Sequence, residues 1–243
     1  MGNENGTWIM YGVDWDDPEC IHSVDEAIDY INEIGFLPLF KNDIPAFSLE
    51  ERTVPEYWWC ENPKLDPWEW RAIIARSSKV AYGKFFDGKA GFISKEWLPY
   101  FVNLRRDGYD FDALWDDGKA SRRQKKIMDL FAEENVDAEY YSNALKQDAG
   151  FCKGGEKGFD GTIAGLQKMM YLSVRDFRQR KNKKGQEYGW AIAVYSTLEH
   201  IFGYELVTSA YGEKPEESGN RIMEHMKDIY PIATEKQIKK LVY

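Results

Sequence analysis

The spacing of hydrophobic residues changes period several times along the chain, and each change marks an element. Residues 1–20 are polar, acidic and glycine-containing, and are expected as a flexible arm. Over 22–34, Val24, Ala27, Ile28, Ile31 and Ile34 recur at helical spacing, with Ser23 as N-cap, Glu26 as its capping-box partner and Gly35 as the stop. Pro38, Pro45, Pro55 and Pro63 punctuate an irregular stretch leading to Trp58, Trp59, Trp68 and Trp70. Asp66-Pro67 sets a cap and a proline at the start of a helix over 68–77, where proline's missing N–H is harmless. Segments 79–86 and 89–93 flank Asp87-Gly88, the dipeptide favoured in a type I′ turn because both central residues need positive φ. A β-hairpin is therefore predicted. A helix over 95–105 follows, then an acidic linker with Asp107, Asp110, Asp112, Asp116 and Asp117.

Beyond the linker the pattern is more regular. Ser121-Arg122-Arg123-Gln124 is a capping box, and Ile127, Leu130 and Phe131 share a face before Asn135 stops the helix. A second helix from Asp137 turns Ala138, Tyr141 and Leu145 inward; a third, over 157–170, does the same with Phe159, Ile163, Leu166 and Met170. The period then switches from 3.6 to 2. Leu172 and Val174 alternate with polar neighbours, Lys181-Asn182-Lys183-Lys184-Gly185 makes a turn, and Tyr188, Trp190, Ile192 and Val194 alternate back. Three helices and then a two-stranded hairpin is the order of a winged helix-turn-helix. The expected fold is α+β: the arm over 1–20, an aromatic-rich N-terminal α/β region with the β-hairpin over 21–120, a winged helix-turn-helix domain over 121–203, and a helical tail over 204–243 whose two amphipathic helices are split by Pro231.

Composition narrows the class. With 243 residues, 43% of them hydrophobic and 15% aromatic, the chain has apolar surface for two cores. No run approaches the ~18–20 apolar residues of a membrane span, and the N-terminus lacks the basic-then-apolar order of a signal peptide. Cys20, Cys60 and Cys152 are scattered, as are His22, His200 and His225. A cytoplasmic protein without a disulfide frame or metal site is expected. The acidic run lacks the Asp-x-Asp-x-Asp-Gly order and closing Glu of a calcium loop. Nothing demands a cofactor, and no catalytic residue is assigned.

Charge changes the picture more. The net charge of −9 argues against a uniformly nucleic-acid-binding surface, yet residues 153–184 hold nine basic and three acidic side chains, leaving −15 on the rest. The candidate DNA contacts are Lys157 and Lys168 on the third helix, whose outward face also carries Gly161, Ala164 and Gly165, and Arg175, Arg178, Arg180, Lys181, Lys183 and Lys184 on the wing. Six cations on a projecting hairpin suit phosphates. The competing readings are that the cations solubilise an exposed turn and guard a sheet edge, or that they meet an acidic protein partner. Trp58, Trp59, Trp68 and Trp70 beside Glu61, Asp66 and Glu69 suit either a base-binding pocket or, more simply, a core.

Three stretches carry a family resemblance: Asp66-Pro67-Trp68-Glu69-Trp70; Val80-Ala81-Tyr82-Gly83 with Lys89-Ala90-Gly91-Phe92-Ile93-Ser94; and Asn182-Lys183-Lys184-Gly185-Gln186-Glu187-Tyr188-Gly189-Trp190. In these the chain resembles the AlkZ-related proteins, short relatives of the winged-helix DNA glycosylases that unhook crosslinked or alkylated bases. The resemblance implies DNA, damaged or structured, as partner and DNA repair as context. The glycosylases proper carry a Gln-x-Gln or Gln-x-Asp motif that positions the attacking water. Here Gln124, Gln147, Gln167, Gln179, Gln186 and Gln237 are never followed two places on by Gln or Asp. A non-catalytic DNA binder is expected ahead of a glycosylase-like enzyme.

Overall fold

The computed structural model describes residues 2–4, 7–132, 139–182 and 184–243, with side chains from residue 9 onward. Strands β1 (Gly2–Glu4) and β2 (Thr7–Ile9) pair antiparallel. Residues 10–20, expected as part of a flexible arm, lie along the 50–55 segment: Tyr11 N–H donates to Glu50 Oε1 (3.1 Å) and Val13 N–H to the Thr53 carbonyl (3.3 Å). Gly12 makes that approach possible, since a Cβ there would sit 2.2 Å from the Thr53 oxygen.

Helix α1 (Val24–Ile34) starts at Ser23, whose hydroxyl accepts the Glu26 N–H, and ends at Gly35 with φ 90°. The Glu26 carboxylate does not close the expected box but accepts the His22 N–H (2.8 Å). Strand β3 (Phe36–Pro38) follows directly, in a stretch whose prolines gave no strand pattern. Asp66 caps α2 (Pro67–Ser77) through the Trp68 N–H. Strands β4 (Val80–Phe86) and β5 (Lys89–Ser94) turn through Asp87 and Gly88, both at positive φ (49° and 71°), as the type I′ dipeptide requires. The antiparallel sheet runs β3-β5-β4. Helix α3 (Leu98–Arg106) packs beside it.

The acidic stretch read as a linker is instead a helix, α4 (Phe111–Asp116), because Asp110 caps it through the Ala113 N–H and its Phe111 and Leu114 enter a core. Helix α5 (Arg122–Met128) carries the full Ser121/Gln124 capping box and tightens into a 3₁₀ turn at Asp129–Phe131. The expected stop at Asn135, and the Asp137-Ala138 start of the next helix, lie outside the described residues. Tyr141, expected on a helix, belongs to strand β6 (Tyr140–Tyr141); α6 (Ser142–Asp148), α7 (Phe159–Lys168), β7 (Leu172–Lys181) and β8 (Glu187–Thr197) follow. Their sheet runs β6-β8-β7, antiparallel throughout. Short helices α8 (Leu198–Phe202) and α9 (Tyr204–Val207) lead to α10 (Pro215–Ile229) and α11 (Glu235–Val242), the pair divided at Pro231.

Two hydrophobic cores result. Ile127, Phe131, Leu145, Phe159, Ile163, Leu166 and Leu172 form one with Phe111 and Leu114, so this unit begins before Ser121. The other joins Ile28, Phe36, Phe92 and Phe101 to Ile222, Met226, Ile238 and Val242, so the helical tail is part of the N-terminal core. Burying each such side chain contributes about 1.5–3 kcal/mol. Arg106, 4% exposed, ties the units together. Its Nε and Nη2 donate to the Met170 carbonyl (3.2 and 2.6 Å), its Nη1 pairs with Glu199, and its guanidinium lies 4.6 Å over the Tyr171 ring.

Candidate nucleic-acid interface

Helix α7 buries Phe159, Ile163 and Leu166 at helical spacing, which turns Gly161 and Gly165 away from the core. These glycines are not there for close helix packing. A Cβ at Gly161 would meet nothing within 4 Å, and one at Gly165 only the Gln124 Nε2 at 4.0 Å. They floor an open groove of about 710 Å³ between α7 and the start of α5, lined also by Arg122, Arg123, Gly158 and Thr162. Glu156 occupies its cationic edge, paired with Lys126 Nζ (3.0 Å) and Arg123 Nε (3.5 Å). The hydrogen bond from Lys126, then its charge, holds the Glu156 carboxyl below the usual range. Lys157 is exposed in the loop just before α7 rather than on it, and Lys168, at the last turn, is half-buried. Among the described residues neither has an ion pair.

The hairpin of β7 and β8 divides into two parts. At its base the ladder slips between Val174/Tyr195 and Asp176/Val194, which leaves Arg175 without a facing residue and turns its side chain toward α2. Arg175 Nη1 donates to the carbonyls of Arg76 (2.7 Å) and Ala75 (3.4 Å), and its Nε pairs with Glu139 (3.4 Å). Asp176 is buried and accepts from Arg76 Nε (2.9 Å), Arg178 Nε (2.7 Å) and the Phe177 N–H (2.7 Å). Arg178 also reaches Glu139 Oε2 (2.7 Å). Desolvation works against the Arg178 charge, but its bonds to Asp176 and Glu139 outweigh that and raise its pKa. Arg71 completes the clamp, buried between the Trp68 ring (3.6 Å) and the Phe177 ring (3.9 Å).

The tip is built differently. Asn182 organises the turn: its side-chain oxygen accepts the N–H groups of Lys184 (2.9 Å) and Gln186 (3.1 Å), and its own N–H donates to the Gln186 carbonyl (2.9 Å). Lys181 and Lys184 are exposed and, among the described residues, form no ion pair, with Glu187 facing Lys181 across the ladder. Arg180 lies 5.0 Å over the Tyr188 ring. Lys183 lies outside the described residues.

The seven sequence candidates among the described residues therefore separate. Arg180, Lys181 and Lys184 gather at the tip, Lys157 stands beside the α7 groove, Lys168 sits at the far end of α7, and Arg175 and Arg178 are held by acids at the hairpin base. Arg122 and Arg123 line the groove and were missed, because the capping box explained their segment without asking what its N-terminal cations face. Tyr188 and Trp190 continue the alternation that leads to Val194, yet both are exposed, at 47% and 89%, because the hairpin runs past the core that covers Val194. Of the tryptophan cluster, Trp58 and Trp70 are buried, Trp68 is half-buried and Trp59 is half exposed. Asp66 is a buried cap whose Oδ1 accepts the N–H groups of both Trp59 and Trp68 (2.9 Å each), so that oxygen is committed to structure. Among the described residues no group of acids, histidines and cysteines is arranged to hold a metal ion, and no helix is long and apolar enough to cross a membrane.

A family model described as AlkZ related matches residues 21–243, nearly the whole chain. No curated protein and no solved structure matches.

Proposed function

Because the chain belongs to the AlkZ-related family, we propose that it is a winged-helix DNA-binding protein acting beside DNA repair, with α7 and the hairpin tip as its contact elements and no glycosylase chemistry of its own. The observation that carries this reading is the order α5, β6, α6, α7, β7, β8 with the sheet β6-β8-β7. A short strand between the first two helices, pairing beside the returning hairpin strand, is what a winged helix requires of its topology. The family relation to DNA glycosylases supports DNA as partner.

In this reading α7 enters the major groove with its glycine face, which lets the backbone approach base edges and phosphates closely. Arg122 and Arg123 flank that approach, while Arg180, Lys181 and Lys184 straddle a neighbouring phosphate run. The acidic remainder of the surface repels DNA and confines it to this side. Hydrolysis is left out because no Gln-x-Gln or Gln-x-Asp motif is present, and Asp66 of the aromatic cluster serves as a helix cap whose Oδ1 accepts two backbone N–H groups.

Fluorescence anisotropy with a labelled 20-base-pair duplex at 50 mM salt tests the binding. Micromolar or tighter affinity that falls steeply with salt is expected. Absence of binding at low salt would overturn the proposal, and release of abasic sites from alkylated duplex would overturn its non-catalytic half.

A further inference from the structure

The tip holds more than cations. Trp190 is 89% exposed and Tyr188 47%, while the same strand buries Val194. Single exposed apolar residues are ordinary on a protein surface. What sets these two apart is how the backbone presents them. Arg178 faces Ile192 and Arg180 faces Tyr188, so Gln179 alone spans Gly189, Trp190 and Ala191. The ladder is broken at Trp190. Gly189 sits at φ 70°, a conformation that disfavours side chains, and a Cβ there would come within 3.0 Å of Arg180 Nη2.

Around these rings lies chemistry suited to a nucleobase. Arg180 stacks on Tyr188, and its Nε is buried without a hydrogen-bond partner. Between the hairpin and α6 opens a cleft of about 380 Å³ lined by Tyr141, Asn143, Ala144, Arg180, Lys181 and Tyr188. Asn143 is exposed there and offers both a donor and an acceptor for a base edge. An intact duplex presents no free base faces to a side chain standing on its surface. A single-stranded, gapped or frayed segment does, and stacking on aromatic rings beside a cationic groove is how such segments are held.

We infer that the β7–β8 tip is a base-stacking platform, in which Trp190 and Tyr188 hold unpaired bases while Arg180, Lys181 and Lys184 hold the adjoining phosphates, so that the favoured substrate is DNA containing unpaired bases. This rests on the DNA-binding reading above and narrows its substrate class. A second copy of the chain docking on the same rings is disfavoured by charge when it meets them with its own tip, since cations would face cations.

The test compares full-length wild type, Trp190→Ala, Trp190→Phe and the Lys181→Ala/Lys184→Ala double variant by anisotropy on fluorescein-labelled oligo(dT) of 20 nucleotides and on a 20-base-pair duplex, with light scattering for oligomeric state. Trp190→Ala is expected to weaken oligo(dT) binding about 10-fold, within the roughly 5- to 150-fold range for removal of one stacking ring, and to change duplex affinity less than about 2-fold. Trp190→Phe should recover most of the loss. The lysine variant should weaken both ligands and flatten their salt dependence. Equal effects of Trp190→Ala on both DNAs, no effect on either, or a dimer that the substitution dissociates would overturn the platform while leaving duplex binding standing. Failure of wild type to bind either DNA would overturn both readings together.

Discussion

At the base of the β7–β8 hairpin, Arg76, Arg175 and Arg178 share two carboxylates, the buried Asp176 and the more exposed Glu139. A few residues further out, Arg180, Lys181 and Lys184 form no ion pair among the described residues, although Glu187 faces Lys181 across the ladder, and Tyr188 and Trp190 stand in solvent. The two regions draw on the same residue types, so residue type does not separate a structural cation from one available to a ligand. The buried acid does. At the base the Asp176 carboxylate is out of solvent and must be paired, and each arginine around it is met by an acid or a carbonyl. At the tip the ammonium groups stay hydrated and cost nothing until a phosphate arrives, when the release of counterions favours the complex.

Several substitutions break or sharpen this contrast. The largest effect is expected at the base: Asp176→Ala takes an acceptor from Arg76, Arg178 and the Phe177 N–H, and should cost about 3 kcal/mol, lowering the melting temperature by on the order of 6–12 °C in a calorimetric scan. Next, Lys181→Glu with Lys184→Glu at the tip should weaken duplex DNA binding on the order of 30-fold, about 2 kcal/mol, with stability held within about 0.5 kcal/mol. An equally large loss of stability would erase the distinction between the regions. Gly189→Ala forces a side chain into positive φ beside Arg180 and should cost about 1 kcal/mol, read as faster amide exchange confined to the outer hairpin. The smallest effect is expected for Arg178→Gln: its side chain is 38% exposed, so solvent screening limits the loss to about 0.5–1 kcal/mol of stability, with DNA affinity changed less than about 2-fold.

Local signals in the chain carried much of the fold. Ser121 and Gln124 announced α5, Asp66-Pro67 announced α2, Asp87-Gly88 announced the β4–β5 turn, and Pro231 divided the last two helices, because caps and turns act through residues adjacent in sequence. Features that depend on distant partners were not legible. Strand β3 exists because β5 accepts it, not because Phe36-Leu37-Pro38 has a strand pattern. Helix α4 looked like a solvated acidic linker, since its six residues bury only Phe111 and Leu114, with Trp115 packed beside them, in a core that other segments supply. The candidate interface followed the same division: counting cations found the hairpin, but it took Asp176, Glu139 and the ladder slip at Arg175 to show which of them are already engaged. The exposure of Trp190 was hidden as well, because an alternating pattern does not reveal where a hairpin leaves its core.

The division between an engaged base and an available tip is tested most directly by the slope of log affinity for duplex DNA against log salt concentration. It is measured for wild type, Lys181→Ala/Lys184→Ala and Arg175→Gln/Arg178→Gln at a temperature where all three are folded. Removing one cation from a phosphate lowers the slope by about 0.9. A fall of about 1.8 is therefore predicted for the tip variant, and a wild-type slope for the base variant. A base variant that flattens the slope while the tip variant leaves it unchanged would contradict that division.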